Sequence, residues 1–214
     1  MGYLKKEKSV FELIQSGGLL MIPILFCSVL AMGIIGERFL TLQKKKIVPP
    51  ELVDQVWELA KAKKLDAKTI KHLKESSPLG MILASGLMSR SLGRDVMKEA
   101  IVDSGRHVAH KLERFLNTLG TIATITPLLG LLGTVLGMIK VFAAIVSHGV
   151  GDPTVLAGGI SEALITTAAG LAVAIPCVIF HRYFDGLVDV YVLNMEEESL
   201  KLIEVIHGTY EGLE

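Results

Sequence analysis

The sequence offers almost no sulfur chemistry: two cysteines in 214 residues, Cys27 and Cys177. Both fall inside apolar runs, where a thiol reads as a small buried hydrophobe. Neither a disulfide framework nor a thiolate metal site is therefore expected. Net charge is lacking too. Twenty-two Lys and Arg balance twenty-two Asp and Glu, so no global basic field points to nucleic acid. The chain carries no P-loop, no dinucleotide fingerprint and no catalytic triad, and nothing in it has metal-ligand spacing. The six histidines are scattered, and the nearest pair, His107 and His110, reads as helix surface. These absences argue against an ordinary enzyme, with no catalytic residue, cofactor or metal expected.

Apolar residues are what the chain has in quantity. Half of it is hydrophobic, only 21% is charged, and mean hydropathy is +0.51, values that suit a membrane protein with a soluble portion. Three runs, 19–42, 116–147 and 156–181, are long enough to cross a hydrocarbon core of roughly 30 Å as helices of about 20 residues. A signal peptide is the rival reading of the first run, because Lys5, Lys6 and Lys8 precede it and Val29-Leu30-Ala31 weakly resembles a cleavage site. The run nevertheless continues to Ile35 and meets Arg38 and Lys44-Lys45-Lys46, a membrane stop, so it is kept as a retained helix. Residues 38–114 hold sixteen of the twenty-two Lys and Arg, and 147–155 hold none. The positive-inside rule then places 43–115 and 182–214 in the cytoplasm. Residues 1–18 and the turn 148–155 fall on the periplasmic side.

The polar portions are helical in pattern. Ser9–Gln15 is a short amphipathic piece that Gly17-Gly18 interrupts. Pro49-Pro50 opens a helix to about Leu65, since proline suits a first turn, and Trp57 on it reads as a packing anchor. Ser76-Ser77-Pro78 punctuates; a helix follows from near Leu79, and Gly93 ends it. A long helix beginning near Asp95 places Met97, Ile101, Val108, Leu112, Phe115 and Leu119 three, four or seven apart and is expected to run unbroken into the second span. Phe184, Leu187, Tyr191, Met195, Leu202 and Ile206 keep the same rhythm. Two such stripes can pack against each other. The expectation is an all-α membrane protein with three transmembrane helices, the second and third extended into a cytoplasmic helical stalk.

The third span carries the chemistry. Glu162, with Thr166 and Thr167 after it, lies about 10 Å into a helix that begins near Val155. An ionisable group in a span costs at least a few kcal/mol and faces a protein interior or wet cavity by default. In the second span, Gly133 and Gly137, with Gly130 one turn earlier, let helix backbones approach closely. Pro127 and Pro176 each remove a backbone donor inside a span. Thr134 lies twelve residues before Val146 and Thr167 twelve after Val155, so they share a depth. Lys140 and Glu162 share one as well. They pair in one reading, and in the other Lys140 snorkels to the headgroups.

The segments PLLGLLGTVLGMIKVF and GGISEALITTAAGLAVAIP resemble the signature of the MotA/TolQ/ExbB proton-channel family. The likeness is strongest over 117–176, and the three-span layout is similar to the ExbB/TolQ branch rather than to the four-span stators. The resemblance implies a pentamer in a bacterial inner membrane enclosing a dimer of a single-span ExbD- or TolR-like partner that supplies an aspartate. A TonB- or TolA-like protein would receive the mechanical work. It assigns Glu162, Thr134 and Thr167 to pore-lining positions and Pro127 and Pro176 to the membrane prolines. Envelope integrity and a non-conducting scaffold are the other roles open to such a chain. A permease would need more spans or internal repeats.

Overall fold

The computed structural model describes residues 16–50, 52, 55, 56, 58, 66–149 and 153–207. Among these every regular element is helical, as an all-α chain requires, and three helices are long and apolar enough to cross a membrane. In order they are α1 Met21–Thr41, α2 Lys44–Ile47, α3 Ala67–Ser76, α4 Pro78–Met88, a short 3₁₀ turn Arg90–Leu92, α5 Arg94–Leu112, α6 Leu116–His148 and α7 Pro153–His207. At 55 residues, α7 is far longer than a bilayer needs. The amphipathic piece at 9–15, Lys5, Lys6, Lys8 and Trp57 lie outside the described residues. Of the helix expected over 51–65, Leu52, Gln55, Val56 and Glu58 are helical, and Val56 is buried.

Two compact units divide the chain, one formed by 1–36 and 117–182, the other by 37–116 and 183–214. In the second, local sequence sets each helix end. Asp66 caps α3 by accepting from the Thr69 amide at 2.8 Å, and the Thr69 side chain and amide hold its carboxyl below the usual carboxylate range. Ser77 caps α4, accepting from the Gly80 amide, and Pro78 occupies the first helical position, where its missing N–H costs nothing. Gly93 turns the chain at φ 101° into α5. The α4 helix is apolar nearly all round, with Leu79, Ile82, Leu83, Ala84 and Leu87 buried. Such a helix belongs inside a core.

The stripes hold with three corrections. Met97, Ile101, Val108 and Leu112 are buried on α5. On α7 the buried line runs Phe184, Val188, Tyr191, Met195, Ser199 and Leu202, so Val188 replaces Leu187 and Ile206 is only half-buried. The third correction is larger. The helix expected to continue unbroken into the second span stops at Leu112, and α6 starts afresh at Leu116. Phe115 between them has φ 64°, a left-handed conformation costly for a bulky residue, and it is exposed rather than on the stripe. Arg114 lies over its ring at 4.5 Å and Arg38 at 5.6 Å. Arg38 is itself buried, and it donates to the Leu112 carbonyl at 2.9 Å and to Glu37. A guanidinium at a helix C-terminus satisfies an orphan carbonyl and opposes the dipole. That contact sits at the end of α5, where no sequence breaker stands.

Candidate functional site

The unit formed by 1–36 and 117–182 is built on α6 and the first half of α7, which meet along a seam of small residues. A methyl group at Gly137 would sit 2.8 Å from the Ala163 Cβ and 2.9 Å from the Gly159 carbonyl. One at Gly130 would lie 3.0 Å from the Thr167 Cα, and one at Gly170 2.6 Å from the Thr126 carbonyl. Gly133 faces the Thr166 side chain, and Gly120 faces the His181 ring. Backbones this close leave room for hydroxyls and little else, as small-residue helix contacts do. Pro127 and Pro176 both lie within continuous helices. Cys177 is buried and Cys27 only half-buried, both as free thiols.

At the end of the seam near the turn, Lys140 Nζ lies 2.6 Å from Glu162 Oε1. Lys140 is eight residues before the end of α6 and Glu162 nine residues into α7, about 12 Å and 13 Å along their helices. The lysine side chain is 60% exposed within the single chain, and that of the glutamate is 24% exposed. Gly18, at φ 69°, presses against the carboxylate so closely that a side chain there would collide with it. Sequence reasoning gave Gly18 no such place. Its only signal was the Gly17-Gly18 pair, read as a helix break.

The threonines do not form one line. Thr167 donates to the Gly130 carbonyl of α6 at 3.0 Å, crossing the seam. Thr166 is buried and donates within its own helix to Ala163 and Glu162 carbonyls. Thr134 also turns back, to Leu131 at 2.6 Å, so Thr134 and Thr167 share a depth without bonding each other. Thr126, not singled out from sequence, is fully buried and donates to the Ile122 carbonyl. Each hydroxyl keeps acceptor capacity after donating, so the seam presents oxygen lone pairs at several depths on the far side of Glu162 from the turn. Among the described residues no group of His, Cys, Asp and Glu could hold a metal.

Residues 74–197 match the MotA/TolQ/ExbB proton channel family. An ExbB-like biopolymer transport protein of Synechocystis sp. is 33% identical over 86% of this chain and 74% of its own length. The biopolymer transport protein ExbB of Vibrio cholerae is 32% identical over 80% of this chain and 77% of its own. That of Salmonella typhimurium is 28% identical over 78% and 68%. The match takes in α4, α5, all of α6 and the larger part of α7, and with them the glycine seam, the hydroxyls and the Lys140–Glu162 contact. The chain belongs to the MotA/TolQ/ExbB proton channel family.

Proposed function

We propose that this chain is the proton-channel subunit of an inner-membrane motor of the ExbB kind, turning proton-motive force into mechanical work that energises outer-membrane transport. The reading is supported above all by Glu162, an ionisable side chain in a span with a lysine 2.6 Å away. A carboxylate held by a cation can take a proton only by giving up that pair, so proton arrival and loss at Glu162 switch one contact off and on. Thr134, Thr166 and Thr167, with water, carry the route onward. They have no protonatable group of their own, which an aspartate on a single-span ExbD-like partner supplies.

The subunits assemble as a homo-pentamer around a dimer of that partner, with α6 and α7 lining the lumen. The N-terminus and the α6–α7 turn are periplasmic, the C-terminus is cytoplasmic, and a TonB-like protein takes up the work. Such a protein drives transport without being an enzyme. Relatives carrying the ExbB name favour this role over envelope integrity.

The test is energy-dependent uptake in cells whose only copy carries Glu162→Gln. Uptake is expected to be lost while membrane insertion and assembly persist. Lys140→Met is expected to impair it, and the double variant to be no worse than Glu162→Gln alone. Full proton-driven uptake in the Glu162→Gln strain would make Glu162 structural and overturn the pathway.

A further inference from the structure

The unit formed by 37–116 and 183–214 holds a feature that proton transfer does not use, a cavity of about 880 Å³ bordered by α2, α3, α4 and α5. Its walls are apolar where Ile70, Met81, Met88, Val108 and Leu112 line it. Its border is basic, with Lys46, Lys71, Lys74 and Lys111 set against one carboxylate, Glu75. None of the four lysines pairs with a carboxylate among the described residues. Three positive charges in excess, around an apolar trough of a size typical for small-molecule pockets, call for an amphiphile with an anionic end.

The position of the border selects among amphiphiles. Lys46 Nζ donates to the Leu40 carbonyl at 2.7 Å, in the last turn of the apolar helix α1. Its ammonium therefore stands where a membrane span ends, in the layer of lipid headgroups. Lys111 precedes Leu112, whose carbonyl is bonded to Arg38 in the same turn of α1, and Lys111 Nζ reaches over the cavity to the Met81 sulfur at 3.9 Å. Lysines clustered just beyond a span are attracted to anionic lipid, each by a useful increment at the surface. The two methionines of the walls are unbranched and adapt to irregular chains.

We infer that this cavity is a binding site for an anionic phospholipid, its phosphate held by Lys46, Lys71, Lys74 and Lys111 and part of an acyl chain received by the apolar walls. The inference rests on the membrane placement of α1 and not on the proton route.

The full-length chain in neutral detergent is titrated with phosphatidylglycerol, phosphatidylcholine or glycerol 3-phosphate, and bound lipid is counted by native mass spectrometry. Phosphatidylglycerol is expected to be retained where phosphatidylcholine is not, with glycerol 3-phosphate unable to displace it. Lys71→Gln/Lys74→Gln/Lys111→Gln alters only exposed side chains and is expected to weaken retention on the order of a hundredfold, at about 1 kcal/mol per lysine. Lys44→Gln/Lys45→Gln, whose lysines do not line the cavity, is expected to leave it nearly unchanged. Helix content by circular dichroism shows that both variants are folded. Undiminished retention in the triple variant overturns the site, and equal loss in both variants reduces it to general surface charge. Displacement by glycerol 3-phosphate makes it a bare anion site, and an acidic protein that phosphatidylglycerol cannot displace gives it a protein occupant; either result overturns the lipid.

Discussion

Tyr191 illustrates how much a single residue can hold in place. It is 5% exposed, and its hydroxyl donates to the Leu42 carbonyl, 149 residues away, at 3.0 Å. Burial, and secondarily Tyr183, pushes its phenol above the ordinary tyrosine value. A pKa raised by folding means that the contribution is complete below the unfolded value near 10 and is lost as pH climbs from there through the higher folded value. Tyr191→Phe is expected to cost about 1 kcal/mol at neutral pH, the net worth of a typical hydrogen bond. The gap to the parent should close in alkaline buffer, as thermal melts in detergent from pH 7 to pH 11 would read. A gap that stays constant with pH would show that the hydroxyl contributes through shape alone. The Tyr191 stripe was legible as a three-four rhythm, but its partner was not: nothing local to Leu42 announces an acceptor. Phe115 was missed for a related reason. Its left-handed backbone stands in a stretch without glycine or proline, and one of the two guanidinium groups at its ring, Arg38, comes from a distant part of the chain.

Between α6 and α7, sequence position fixed depth and left rotation open. Counting residues from the turn puts Thr134 level with Thr167, yet the first bonds its own helix and the second crosses to Gly130. The glycines that allow that crossing differ sharply in the space around them. A methyl group at Gly137 would meet both Ala163 and Gly159, whereas at Gly158 it would meet nothing within 4 Å. Gly137→Ala is therefore expected to destabilise the hairpin by roughly 1–3 kcal/mol through overpacking. Gly158→Ala should be neutral or stabilise by up to about 1 kcal/mol, since alanine is the better helix former. The comparison is read as the temperature at which each variant aggregates in detergent. Equal behaviour of the two would mean that the helices are not packed on those glycines.

At the scale of the molecule, the three spans bury only 22%, 22% and 28% of their most apolar windows inside the chain. Phe26, Leu128, Ile139 and Leu164 are among the large apolar residues left exposed. Lipid can cover side chains of that kind. It cannot satisfy Glu162 and Lys140, because polar groups at membrane depth need protein or water around them. Assembly with further copies is the expected remedy, and native mass spectrometry from mild detergent should find oligomers; monomers alone would refute it. Run length made the three spans legible and the loop lysines suggested a topology, since both are additive over residues. Cavities are not additive. The basic-bordered trough joins Lys46 to Lys111 across four helices, and no stretch of sequence contains it.

The 2.6 Å approach of Lys140 to Glu162 also has a preparative consequence. Trypsin has no site between Lys140 and Arg182, and Lys140 is the one internal site between Arg114 and Arg182. An apolar carbodiimide activates a carboxylate for attack by a neighbouring amine, forming an amide and releasing a urea. Between these two residues the product is a zero-length isopeptide link, and an acylated lysine is no longer cut. Digestion should then yield a single fragment from Phe115 to Arg182, lighter by one water, in place of two. In Lys140→Arg the cleavage site survives, but the amine does not, so the same reagent should leave two separate fragments, divided after position 140.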